Sequence, residues 1–136
     1  MLFKGVLFLS QKLAPLVRDG GSIINISSGV TRFYTPRHVV YAAAKGAVEV
    51  LTRYMARELG PRQITVNTVA PGATATDFMG GFLRGSPETQ ARVSSVTALG
   101  RPGQPDDIAT AIAALLSDRT HWITGQRIEV SGGMNL

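Results

Sequence analysis

The sequence has no cysteine and only two histidines, His38 and His121. Disulfides and thiolate metal sites are therefore excluded, and the two histidines lack metal-ligand spacing, so no metal site is expected. A cysteine-free chain of this kind suits a cytoplasmic setting. Also missing is any apolar run approaching the roughly 18 residues that cross a bilayer, so no membrane span is expected. The opening MLFKGVLFLSQKLA is apolar only briefly before Ser10, Gln11 and Lys12 interrupt it. No small-residue cleavage site of the usual kind follows, and it reads as a buried helix rather than a signal peptide. Positive charge is in excess, with a formal net charge of +5, yet there is no basic run. The arginines are scattered from Arg18 to Arg127 without interleaved aromatics, so no nucleic-acid partner is expected. The basic surface suits an anionic cofactor or an acidic carrier protein instead. Internal repeats, low-complexity tracts and linkers are absent as well.

What is present is a globular composition. Hydrophobic residues make up 44% and charged residues 17% of 136 residues, which suits one α/β domain and argues against disorder. Apolar residues fall on nearly every side between Leu2 and about Val17, predicting a helix buried on several faces, and Asp19-Gly20-Gly21 ends it. Ser22 to Ser27 then reads as a strand. Its nearly continuous apolar character (Ile23, Ile24, Ile26) is that of a parallel strand covered by helices on both faces.

The strand ends in two hydroxyls, Ser27 and Ser28, and a loop delivers Tyr41 and Lys45 at the start of an Ala-rich helix running to about Leu59. Tyr41 and Lys45 are four residues apart and share one helix face. An ammonium beside a phenol stabilises the phenolate, and the positive N-terminal end of the helix acts in the same direction, which is the arrangement of a general acid/base. Ala44, Ala47, Val48, Leu51, Met55 and Leu59 recur at threes and fours along this helix, and Gly60-Pro61 closes it.

Ile64 to Ala70 is a second, β-branched strand running into Pro71-Gly72. Ligands of open α/β sheets bind at the carboxyl ends of the strands, so the Ser27-Ser28 and Pro71-Gly72 ends should face one crevice. Beyond them, Gly80-Gly81 breaks the chain and Ser86-Pro87-Glu88 starts a helix. Leu99 to Gln104 is turn-rich, and Pro105 with Asp106 and Asp107 suits the first turn of a helix carrying Ile108, Ile112, Leu115 and Leu116. Ile123 to Val130 reads as a last, alternating strand, closed by Ser131-Gly132-Gly133.

The Ser27-Ser28 strand end, the interval of thirteen from Ser28 to Tyr41, and Tyr41-Ala42-Ala43-Ala44-Lys45 resemble the short-chain dehydrogenase/reductase family. The resemblance is nearest to its 3-oxoacyl-carrier-protein reductase-like members. Pro71-Gly72, Thr76, Gly100-Arg101-x-Gly103, Asp107-Ile108-Ala109 and Thr124-Gly125 follow in the family's order, with Ser131 standing where many members have Asp. The resemblance implies that Ser28 polarises a substrate carbonyl and that Tyr41 gives or takes the proton. Lys45 is implied to hold the nicotinamide ribose and to favour the tyrosine's ionised form. It further implies an NADP or NAD cofactor contacted by Tyr41, Lys45, Pro71, Gly72, Thr74 and Thr76. The same resemblance implies that the backbone around Thr74 would hold the carboxamide and that Thr76 would offer its hydroxyl to the pyrophosphate. A small carbonyl or alcohol would be the substrate, with a 3-oxoacyl thioester as first guess.

The implied fold is the C-terminal half of a doubly wound (Rossmann-type) parallel sheet with flanking helices. Residues 1–136 would form one partial domain: catalytic segment 22–60, cofactor loop 70–77, mobile substrate lid 78–98, and C-terminal helix and strand 99–136. The family's subunit interface would map to helices 2–17 and 41–59, implying a homo-oligomer, although residue pattern alone gives core packing equal weight. The family's glycine-rich turn and Asn-Asn-Ala-Gly strand end have no counterpart here, and its catalytic Asn would align near Leu2. These gaps lead to the expectation of a truncated or internal-start version of a longer reductase, with an unpaired apolar edge beside Ser22–Ser27. The alternative expectation is a catalytically incompetent module that oligomerises or binds a partner.

Overall fold

The computed structural model describes residues 2–136; Met1, the first residue of the expected domain, lies outside them. The chain begins with helix α1 (Lys4–Leu13) and a 3₁₀ turn (Ala14–Leu16), then strand β1 (Ser22–Ile26) and a 3₁₀ turn (Gly29–Thr31). Helix α2 (Val39–Leu59) leads through another short turn to β2 (Thr65–Pro71). Two short helices, α3 (Phe82–Gly85) and α4 (Pro87–Ser95), precede α5 (Pro105–Leu115), and β3 (Arg127–Val130) ends the regular structure.

The three strands form one parallel sheet in the order β1-β2-β3. Ser22 pairs with Thr65 and Ile26 with Val69 on one side of β2, and Thr68 pairs with Arg127 and Pro71 with Val130 on the other. Every residue from Ile64 to Ala70 is buried, so the two-sided burial expected of a parallel strand belongs to β2. The core joins Met55 and Ala56 of α2 to Ile64 and Val66, with Val17, Ile23, Leu51 and Leu59 packed around them. Three buried polar side chains beside this core are linked through one hydroxyl. Asn25 Nδ2 donates to Thr52 Oγ1 at 2.9 Å, Thr68 Oγ1 donates to the same oxygen at 2.7 Å, and Thr52 donates to Val48 O at 2.9 Å.

Four sequence-based expectations need correction. Strand β1 is not covered on both faces: it lies at the sheet edge and Ile26 is 40% exposed. Helix α1 starts two residues later than expected, ends by Leu13 and buries none of its residues, with Leu9 60% exposed. It lies against α2, while Phe8, Leu9 and Leu13 stay about half exposed or more. The α2 helix starts at Val39, two residues before Tyr41, with His38 at its cap position. The last strand is only four residues long, because Gly125 adopts φ +71° and breaks the extended chain. Loop 123–126 is held by Asn67 instead, whose Nδ2 donates to Ile123 O at 2.7 Å and whose Oδ1 accepts from Gln126 N at 3.0 Å.

Candidate active site

The site is assembled where β1 ends. Lys45 Nζ donates to Ile26 O at 2.9 Å, which ties α2 to the last residue of the strand. Ser27 points into the interior, 2% exposed, and donates to Glu49 Oε1 at 2.6 Å. Ser28 turns the other way at the cap position of the 3₁₀ turn. Its hydroxyl accepts a long bond from Val30 N at 3.5 Å, a weak claim that leaves the O–H free to donate elsewhere.

Tyr41 sits one turn before Lys45 on the same face of α2. The Lys45 ammonium lies 5.8 Å from the centre of the Tyr41 ring, within cation–π reach. Burial pushes the Lys45 ammonium down from its ordinary pKa, because a charge in a partly dry site loses hydration. His38 meets the Tyr41 ring edge-on at 6.1 Å, and Phe78 covers it from the following loop at 6.5 Å.

The Pro71–Thr76 loop adjoins the turn after Ser28. A Cβ added at Gly29 would stand 3.4 Å from Pro71 O and 3.0 Å from the Phe33 ring, and one added at Gly72 would stand 2.8 Å from Ser131 Cα. Both glycines thus permit a close backbone approach at the strand ends, which brings the turn after Ser28 against the start of the Pro71–Thr76 loop. Thr74 pairs with Gly103 in a short parallel bridge, with Gly103 N donating to Ala73 O and Ala75 N to Gly103 O, both at 2.9 Å. Segment 100–103 is therefore the brace of this loop. Thr74 Oγ1 donates to Gly72 O at 3.1 Å, and Thr76 Oγ1 accepts from Phe78 N at 3.2 Å. Arg101 and Asp107 close the brace with bonds of 2.6 and 2.9 Å. A cavity of about 200 Å³ between this brace and the end of β3 is lined by Gly72, Thr74, Arg101, Asp107 and Ser131, among others, and by none of Ser28, Tyr41 and Lys45.

Lys45 thus joins Tyr41 to the end of β1, Ser28 follows that strand end, Pro71 O lies close to Gly29 and Gly72 lies close to Ser131. The Thr74 hydroxyl is bonded to Gly72 O and that of Thr76 to the amide of Phe78, whose ring lies beside Tyr41. The sequence reading overlooked Glu49, Arg127, Arg32 and Glu129, which form the charged floor beneath Ser27 and Ser28. Glu49 had a signal, since Tyr41, Lys45 and Glu49 recur at every fourth position of α2.

A family model described as enoyl-(acyl carrier protein) reductase matches residues 2–135. A short-chain type dehydrogenase/reductase from Picea abies is 42% identical over 134 residues, covering 96% of this chain and 48% of that protein. The 3-oxoacyl-(acyl-carrier-protein) reductase of Staphylococcus aureus is 43% identical over 133 residues, covering 96% of this chain and 53% of that protein. Among solved structures, the angucycline C-6 ketoreductase LanV with bound NADP superposes with a TM-score of 0.90 at 39% identity, covering 98% of this chain and 51% of that one. The chain spans about half the length of the relatives it matches.

Proposed function

The chain belongs to the short-chain dehydrogenase/reductase family, and on that premise we propose that it carries the catalytic, nicotinamide-facing part of an NAD(P)-dependent carbonyl/alcohol oxidoreductase. The observation that carries this reading is the placement of Lys45, whose ammonium is shared between Ile26 O at 2.9 Å and the face of Tyr41. A lysine has three N–H donors, and Ile26 takes one. The remaining two suit the hydroxyls of a nicotinamide ribose, with the Pro71–Thr76 backbone across the crevice suited to the carboxamide. The donor set therefore fits that end of the cofactor, and the cofactor supplies the hydride to the carbonyl carbon.

Ser28 donates its free O–H to the substrate oxygen and so polarises the carbonyl. Tyr41 transfers its phenolic proton to the same oxygen as negative charge develops there. The phenolate left behind is stabilised by the Lys45 ammonium until solvent returns the proton. Segments 22–60 and 70–77 hold these groups, and 78–98 acts as the substrate lid, with Phe78 over Tyr41 as its first contact.

A 3-oxoacyl thioester is the proposed substrate. The name of the Staphylococcus relative supports it, and a net charge of +5 suits an acidic carrier. NADP is favoured as cofactor by the LanV structure, and a cytoplasmic setting goes with the lack of cysteine. The test is NADPH consumption with a short 3-oxoacyl thioester, for the chain as it stands and for Tyr41→Phe. Turnover that disappears in Tyr41→Phe while the fold is retained is expected; turnover that survives the substitution overturns the assignment.

One observation favours a companion reading. Phe8 is 50%, Leu9 60%, Leu13 47% and Leu16 78% exposed, so α1 and the turn after it offer an apolar surface beside α2. That surface supports a homo-oligomer through these two helices.

A further inference from the structure

The turn that holds Ser28 rests on two linked ion pairs of low exposure. Glu49 Oε1 accepts three bonds: from Ser27 Oγ at 2.6 Å, from Thr31 Oγ1 at 2.6 Å and from Arg127 Nε at 2.9 Å. The remaining nitrogens of Arg127 reach Glu129 Oε2 at 2.9 Å and Ser28 O at 3.4 Å. Glu129 in turn receives both arms of Arg32 at 2.7 Å and the Ser131 hydroxyl at 2.7 Å. Side-chain exposure is 13% at Glu49, 23% at Arg127 and 17% at Glu129.

We propose that Arg127, seated on Glu49, is a positioning residue that fixes the direction of the Ser28 hydroxyl and its register against the Pro71-Gly72 loop. The inference rests on the reading of Ser28 as the carbonyl-binding group. An ion pair this far out of water is a poor source of stability compared with apolar residues of the same volume, so its use here lies in geometry. The planar guanidinium serves Glu49, Glu129 and the Ser28 carbonyl in three directions at once, which a lysine ammonium on a flexible stem does not reproduce. The network supports the turn from below: Arg127 reaches the Thr31 hydroxyl at 3.2 Å and, through a long bond, the Ser28 carbonyl at 3.4 Å, while Glu49 accepts from the side chains on either side of Ser28, Ser27 and Thr31. Through Glu129 the same network reaches Ser131, whose Cα lies against Gly72. Hydrogen bonds therefore run from the proposed carbonyl-binding serine to Ser131, and packing of Ser131 on Gly72 carries the contact to the proposed nicotinamide loop.

The test compares the unaltered chain with Arg127→Met, Arg127→Lys, the surface control Arg119→Met, and Tyr41→Phe. Amide hydrogen exchange is read by NMR without cofactor, and turnover with a 3-oxoacyl thioester and NADPH. In both Arg127 variants the amides of Val30, Thr31 and Arg32 should exchange at least about tenfold faster, a factor that matches one lost turn-fixing bond. The β2 amides of Val66 and Val69 should keep their protection. Turnover should fall roughly a hundredfold, the penalty of a misplaced catalytic group, with KM for NADPH within about twofold. Should Arg127→Met not fold, Arg127→Lys, which keeps the positive charge, supplies the same readings. Unchanged exchange at residues 30–32, or loss of protection throughout the chain in Arg127→Lys, would overturn the positioning role. Turnover that survives Tyr41→Phe overturns the parent reading alone, since exchange in the turn still reports on Arg127.

Discussion

Lys45 is placed where two demands oppose each other. Burial disfavours its ammonium, while Ile26 O and the Tyr41 ring hold the charged form in place. Replacing it by methionine, which keeps the length of the stem, removes the cost of burying a charge along with one hydrogen bond. Lys45→Met should therefore lower stability by no more than about 1 kcal/mol in urea unfolding, while turnover falls by roughly a hundredfold or more through loss of proton-transfer support. A large loss of stability would identify Lys45 as a structural strut instead.

Glu129 makes a second prediction at this scale. Arg32 above all, with Ser131 and Arg127 assisting against the cost of burial, holds its carboxyl down at about 2 instead of the ordinary 4.5. A carboxyl whose folded value lies below its unfolded one stabilises the fold fully above pH 4.5, and that contribution is lost as pH falls toward 2. Urea midpoints measured across this window should drop steadily for the unaltered chain. Glu129→Gln should start lower and change less over the same interval, and parallel curves for the two would contradict the assignment.

Among elements, β2 is the one most completely enclosed, and its polar residues have defined partners. Thr52→Val on α2 keeps the shape but removes the acceptor shared by Asn25 Nδ2 and Thr68 Oγ1. All three residues are nearly sealed from solvent, at 7% exposure or less, so the substitution should cost about 1–3 kcal/mol. Calorimetry would register it as a lower Tm with no change in helix content. The strands and α2 were legible in sequence because their signals are local: β-branched runs, a helical repeat, and Tyr41 and Lys45 one turn apart. The pairing of Arg127 with Glu49 was not, since 78 positions separate them and the parallel pairing of β2 with β3 carries Arg127 to that end of the sheet. The last strand was read too long because alternation from Ile123 continues through Gly125, whose positive φ no hydropathy pattern reveals. Helix α1 was read as buried because its apolar residues are many, but composition does not say which face a neighbour covers, and none of its residues is buried.

At the scale of the whole molecule, that uncovered surface joins two other open features. Strand β1 lies at the edge of the sheet, and a groove between α1 and α2 runs past Leu7, Ala14, Leu51 and Leu59. Charged substitutions on the outward face, Leu9→Lys with Leu13→Lys, remove no buried contact and should change monomer stability by less than about 0.5 kcal/mol each. If α1 and α2 form the proposed oligomer contact, sedimentation at matched concentration should show the double variant shifted to smaller species. Identical sedimentation of the two proteins would place any self-association elsewhere.

The proposed chemistry requires that this chain hold the nicotinamide end of the cofactor through Lys45, Tyr41 and the Pro71–Thr76 loop. The direct measurement is a fluorescence titration of the folded chain with NADPH, repeated with NADH and with Lys45→Met. Saturable binding that weakens at least about tenfold in Lys45→Met, the loss of one charge-assisted contact, is the predicted result. A folded chain that binds neither nucleotide, or binds equally well without the ammonium, would contradict the account.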